Sequence, residues 1–258
     1  MATALITGAS SGIGEAFAQA LAQRGFDLVL VARSLEKLEA LAESLQIKSG
    51  ISAWVIQQDL IAKDAVEKIY SFVQEKELTI DLLINNAGFG DYGLFAHSDR
   101  QKQLDMIDLN VRSLVEMTHA WLPEMKARGI GDIINVSSIA GFQPMPYLSV
   151  YAATKAFVLN FSEAIWSENK DNGIKVLALC PGPTETNFMN VACFPSDLNG
   201  PPQKLVTSEE VVEAALQALA RGQSNEVTGG LLNKFVVNSP RFLPRPWLVN
   251  SIKQIFAS

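Results

Sequence analysis

Six short runs rich in Val, Ile, Leu and Ala recur along the chain without polar alternation: Ala4–Thr7, Leu28–Ala32, Ala53–Gln57, Leu82–Asn85, Ile133–Val136 and Val176–Cys180. Unbroken apolar strands are buried on both faces, as in a parallel sheet covered by helices. Between them, apolar residues recur at helical spacing over Ile13–Gln23, Leu35–Leu45 and Ala65–Gln74. Strand and helix alternate to about residue 180, and chirality makes such crossovers right-handed. The pattern predicts an α/β fold: a doubly wound, Rossmann-like parallel sheet in three layers, αβα.

Past Pro181-Gly182-Pro183 the regularity fails. Residues 184–206, with Pro195, Gly200, Pro201 and Pro202, read as a long loop over the ligand side, and such loops often serve as lids. A helix restarts at Thr207-Ser208-Glu209-Glu210, where Thr207 and Glu210 have the spacing of a capping box. A last amphipathic helix is expected over residues 247–256, with Leu248, Ile252, Ile255 and Phe256 near one face. It is expected to pack on the body or on a second subunit. A membrane-surface role is the lesser option, since Lys253 and the two preceding arginines supply its only basic charge. At 258 residues the chain reads as a single domain, 1–258.

Composition removes several classes. With 48% hydrophobic and 19% charged residues the chain is globular, not disordered. Cys180, Cys193, His97 and His119 are too few and too scattered for a zinc site, so no metal is expected. A net charge of −6 with no Lys/Arg cluster argues against nucleic acid. No run of about 18 apolar residues occurs, and the Met1-Ala2-Thr3-Ala4 start lacks the charged region of a signal peptide, so a cytoplasmic protein without a transmembrane segment is expected.

The candidate chemistry begins at Thr7-Gly8-Ala9-Ser10-Ser11-Gly12-Ile13-Gly14, between the first strand and the first helix. Missing side chains there let the backbone turn sharply and approach a pyrophosphate at the helix N-terminus. An NAD site should carry an acidic residue at the end of the second strand, but the strand ends Ala32-Arg33-Ser34. Arg33 offers a permanently charged fork for a 2′-phosphate, so NADPH is expected over NADH.

With these features the chain resembles the short-chain dehydrogenase/reductase family, in its type of roughly 250 residues. Further motifs match in order: Asn85-Asn86-Ala87-Gly88, Asn110 in the next helix, Asn135-Val136-Ser137-Ser138, Tyr151-x3-Lys155, and Pro181-Gly182 with Thr184 and Thr186. Within one helix, Tyr151 and Lys155 stand one turn apart on the same face. A nearby ammonium is expected to lower the tyrosine pKa toward working pH.

The resemblance implies roles. Tyr151 protonates the carbonyl oxygen, Ser138 (with Ser137 as runner-up) polarises that carbonyl, Lys155 also holds the nicotinamide ribose, and Asn110 positions a proton-relaying water. Cofactor contacts are implied for Gly8, Ser10, Ser11, Gly12, Ile13, Gly14, Asp59, Leu60, Asn86, Ala87, Gly88, Tyr151, Lys155, Pro181, Gly182, Thr184 and Thr186. Phe89, Phe142, Tyr147, Phe188 and Met189 are expected to line an apolar substrate pocket. Asn135 reads as satisfying backbone groups, and Cys180 as core. The expected function is reversible hydride transfer between NADPH and a hydrophobic ketone or aldehyde, in a homo-oligomer. The alternatives are an NAD-linked alcohol dehydrogenase and a catalytically silent dinucleotide sensor.

Overall fold

The computed structural model describes residues 1–195 and 205–256, so Gly200, Pro201 and Pro202 of the substrate loop lie outside the described residues. Seven parallel strands form one sheet in the order β3-β2-β1-β4-β5-β6-β7. They are β1 (Thr3–Thr7), β2 (Asp27–Ala32), β3 (Ala53–Gln57), β4 (Ile80–Asn85), β5 (Gly131–Val136), β6 (Ile174–Cys180) and β7 (Asn225–Val227). The first six were legible as apolar runs, although most begin one or two residues earlier than predicted. The early residues are polar and have a task at the sheet's entry edge. Asp27 accepts from the Ser52 amide at 2.7 Å and Asp81 from the Thr3 amide at 3.0 Å. β7 was not predicted: three residues are too short to carry a pattern, and it is held by pairing with Ala178–Cys180.

Helices cover both faces, because successive strand side chains point to opposite sides. Ala4 and Ile6 of β1 face α1 (Gly12–Gln23), α2 (Leu35–Ser49) and α8 (Ser208–Ala220), whereas Leu5 faces α3 (Ala65–Glu75) and α5 (Leu114–Arg128). α6 (Ser149–Asn169), with its predicted bounds, adds Ile165 to this second layer. α4 (Arg100–Ile107) runs into α5 through a π-helical segment, Asp108–Ser113. The capping box of α8 forms as expected: Thr207 Oγ1 accepts from the Glu210 amide and Glu210 Oε2 from the Thr207 amide.

The region read as one long loop holds order of its own. Thr184 bridges Val206 in a parallel pairing, and a single turn of helix, α7 (Phe188–Val191), lies between. Beyond β7 come α9 (Gly230–Asn238) and α10 (Arg245–Phe256). α10 starts two residues before the expected Trp247, because Pro246 fits a first helical turn. Leu248 and Ile252 are buried as expected, but Ile255 is exposed. Among the described residues, no helix is long and apolar enough to cross a membrane, and no three His, Cys, Asp or Glu groups could hold a metal ion.

Candidate active site

The sheet's order reverses between β1 and β4, and in open α/β sheets ligands sit beyond the carboxyl ends of strands at that switch. β1 ends in Thr7 and the glycine turn. Gly8 (φ +66°) and Gly12 (φ +57°) both occupy the left-handed region. A Cβ on Gly14 would lie 2.3 Å from the Gly8 carbonyl oxygen, so only glycine lets the helix start this close to the turn. Ser11, the N-cap of α1, makes no side-chain cap, which leaves the first amides of the helix to an external acceptor.

Asn86 supports this turn from β4. Its Nδ2 donates to the carbonyls of Thr7 (3.0 Å) and Gly8 (3.2 Å), while Thr7 Oγ1 accepts from the amides of Asn86 and Ala87. Asn86 therefore braces the loop in addition to any contact with a bound ligand. Beneath it, Asn85 donates to Thr118 and to Asn135, and Asn135 donates to Ser162. Asn135 thus bonds side chains, not the backbone groups expected of it, and forms a buried polar crosslink behind the strand ends.

Arg33 follows β2 and is exposed, and its carbonyl accepts from Gln57 at the end of β3. Asp59 folds back on the Ile61 amide, while Leu60 is buried in the core. Thr186 faces the glycine turn, since a Cβ on Gly12 would stand 3.0 Å from its Cγ2. Thr184 donates to the Gly182 carbonyl at 2.9 Å. Gly182 is held tight by Asn233 of α9, which donates to the Thr228 carbonyl. Asn233 lies outside every sequence motif, and only tertiary packing reveals it.

At the end of β5 the two serines separate. Ser137 is buried and donates to the Lys155 carbonyl at 2.7 Å. Ser138 turns outward, caps the 3-10 turn Ile139–Phe142 by accepting from the Ala140 amide at 3.1 Å, and hydrogen-bonds the Tyr151 phenol. Lys155 Nζ donates to the Val136 carbonyl at 2.8 Å and lies 5.9 Å from the Tyr151 ring centre.

Electrostatics here differ from the expectation. Burial pushes the Tyr151 phenol up to about 12, with the Ser138 hydrogen bond opposing it. Burial also drives Lys155 down to about 8. The ammonium does not lower the phenol's pKa: the charge is spent on the Val136 carbonyl and both groups are desolvated, which penalises their charged forms. Cys180, also read as core, is buried and held as a thiol, its pKa pushed up to about 12 by burial.

Asn110 stands in the π-helical segment, not in a regular α-helix, and such bulges are frequent at functional sites. Its amide accepts from the Phe89 amide and donates to the Phe89 carbonyl and to Thr154. A Cβ on Gly88 would lie 2.9 Å from Asn110 Oδ1 and 3.3 Å from Lys155 Nζ, so Gly88 keeps a narrow space between those two groups.

Around Tyr151 lies an apolar cluster of Met106, Ala140, Leu148 and Ala152, flanked by Phe89, Tyr92, Phe188 and Phe194. The Phe188 ring is 5.2 Å from that of Tyr151, and Tyr147 stacks on Tyr92 at 5.6 Å. Two expected pocket residues lie elsewhere. Phe142 packs with Leu159, Val227 and Val237, because its 3-10 turn directs it behind α6. Met189 is on the exposed side of α7. In exchange Phe256 of α10 joins the cluster, its carbonyl accepting from the Tyr92 hydroxyl.

A parallel sheet in this order, with a glycine turn after β1, defines a Rossmann-like α/β protein. The chain belongs to the short-chain dehydrogenase family, whose model matches residues 2–193, and it is thereby an oxidoreductase acting on CH–OH and C=O groups. It is 33% identical over 260 residues to 17-beta-hydroxysteroid dehydrogenase type 3 of Rattus norvegicus, covering 98% of this chain and 80% of that protein. It is 42% identical over 185 residues to sulfoacetaldehyde reductase of Chromohalobacter salexigens, covering 71% and 72%. Its fold matches a short-chain dehydrogenase from Sphingobium yanoikuyae in complex with NADPH, with a TM-score of 0.84, 34% identity, and coverage of 100% and 99%.

Proposed function

We propose that this chain is an NADP(H)-dependent carbonyl reductase that interconverts a hydrophobic ketone or aldehyde and its alcohol, with Tyr151 as general acid/base. One observation carries the reading: a buried, protonated phenol, hydrogen-bonded by Ser138 and roofed by Phe188, stands at the carboxyl edge of the sheet. The relatives' names do not choose a substrate, since one concerns a hydroxysteroid and another a sulfoacetaldehyde. The aromatic lining around Tyr151 favours an apolar partner.

The residues present fit the dinucleotide. The uncapped start of α1 and the side-chain-free turn at Gly8, Gly12 and Gly14 suit a pyrophosphate. Arg33, at a strand end without a carboxylate, suits a 2′-phosphate, with Asp59 and Leu60 beside it. Asn86, Ala87, Gly88, Pro181, Gly182, Thr184 and Thr186 line the same edge. When bound, the reduced nicotinamide supplies the hydride. Tyr151 donates its proton to the carbonyl oxygen, and Ser138 orients that oxygen by a hydrogen bond. Lys155 offers its ammonium to the resulting phenolate, and Asn110, across Gly88 from Lys155, positions the proton path.

The apolar surface groove lined by Phe95, Ile107, Val111, Val150 and Phe157 supports a homo-oligomer, and two free cysteines suit the cytoplasm. The test is consumption of NADPH and, separately, NADH over a panel of aryl ketones, alicyclic ketones, long-chain aldehydes and small polar aldehydes. NADPH use with the bulky apolar carbonyls is expected, and preference for NADH or for the polar aldehydes would refute the assignment.

A further inference from the structure

Charge is unevenly distributed along this acidic chain. None of its 27 acidic residues lies beyond Glu226, whereas Lys234, Arg241, Arg245 and Lys253 all do. The segment with this cationic excess is the one that forms α9 and α10. It also carries the most conspicuous exposed aromatics of the described residues: Phe235 is 73% exposed, Phe242 83% and Trp247 59%, with Leu232 at 63%. Along α10 the two sides are divided. Leu248 and Ile252 are buried against the body, while Trp247, about 140° round the helix from Ile252 at 100° per residue, faces outward.

We propose that the outer face of α9 and α10 is an interfacial docking surface for an anionic lipid bilayer. Exposed Trp, Phe and Leu side chains among Lys and Arg are suited to the headgroup boundary, where rings bury their apolar edges and cations meet lipid phosphates. A second copy of the chain is a poorer occupant. A two-fold interface sets the same patch against itself, so each cationic surface would face another. Arg245 and Lys253 are exposed, while Lys234 is held by Glu226 at 3.3 Å. The helix that would meet the lipid also brings Phe256 to Tyr92, beside the apolar cluster at Tyr151. Lipid contact and the region that would receive a hydrophobic substrate are thus joined by one element. The docking surface stands on charge and exposure, and does not depend on the redox assignment.

Co-sedimentation of the full chain with phosphatidylcholine vesicles, with and without phosphatidylglycerol, tests this. Binding to the anionic vesicles is expected at low ionic strength, with release at about 0.5 M salt. Phe242→Ser with Trp247→Ser, and separately Arg245→Glu with Lys253→Glu, should each weaken it about tenfold while the melting temperature holds. In the unaltered protein, Trp247 emission should shift to the blue on anionic vesicles, which keeps the test valid if a variant fails to fold. Three results would overturn the proposal: no association of the folded chain with anionic vesicles, equal binding by the variants, or a self-association in sedimentation velocity that the same substitutions abolish.

Discussion

Ser137 and Lys155 are tied by a hydrogen bond from the serine hydroxyl to the lysine's main-chain carbonyl, 2.7 Å long and fully buried, so the end of β5 is fixed to the middle of α6. The tie sets the neighbouring Ser138 against Tyr151, and it divides two adjacent serines into different tasks.

Substituting each serine should separate those tasks. Ser137→Ala removes a buried hydrogen bond and should lower stability by about 1 kcal/mol, with turnover reduced less than about tenfold. Ser138→Ala should leave the melting temperature nearly unchanged and reduce kcat about 100-fold or more, because the lost contact is to the reacting oxygen. Thermal melts and steady-state kinetics of the two variants check both outcomes.

The pH profile of reduction should be governed by Lys155, not by Tyr151. Reduction needs a protonated phenol, and with its pKa at about 12 Tyr151 stays protonated throughout the accessible range. Lys155, at about 8, keeps its ammonium below that pH and loses it above. The expected kcat/KM is therefore level below pH 8 and falls as pH rises past it. Lys155→Arg, which cannot deprotonate there, should move that limb beyond pH 10.

Arg33 should set the choice of dinucleotide. Its replacement by Ala removes a charged partner for the 2′-phosphate, and such contacts contribute about 1.5–3 kcal/mol, or roughly 10- to 150-fold in affinity. NADPH affinity should fall by that factor while NADH affinity stays within about twofold, as read by titration of reduced-cofactor fluorescence.

Gly14→Ala tests the turn as a cradle. The added Cβ has backbone 2.3 Å away, so the turn must open. Loss of detectable NADPH binding is expected, together with a lower melting temperature. Asn86→Ala, which removes both supports of the turn without adding bulk, should weaken binding with a smaller loss of stability.

The strand positions and the strand-end motifs were legible in the sequence because a buried parallel strand must be apolar throughout, and because loops at one sheet edge carry the ligand groups. What escaped depends on distant packing. Phe142 points behind α6 because of a 3-10 turn, and Phe256 reaches Tyr92 from 164 residues away. The π-helical setting of Asn110 shares its local pattern with an α-helix. The phenol's raised pKa follows from desolvation, which spacing along a helix does not report. Spacing placed Lys155 beside Tyr151, and burial decided the sign.

The central claim is that the Tyr151 phenol delivers the proton in a hydride-transfer reaction. Tyr151→Phe keeps the ring under Phe188 and removes only the hydroxyl, so turnover of NADPH with the best carbonyl substrate should fall about 100- to 10,000-fold. NADPH binding, measured by fluorescence on the same sample, should stay within about threefold. Unaltered turnover in a variant that still binds NADPH would contradict the account.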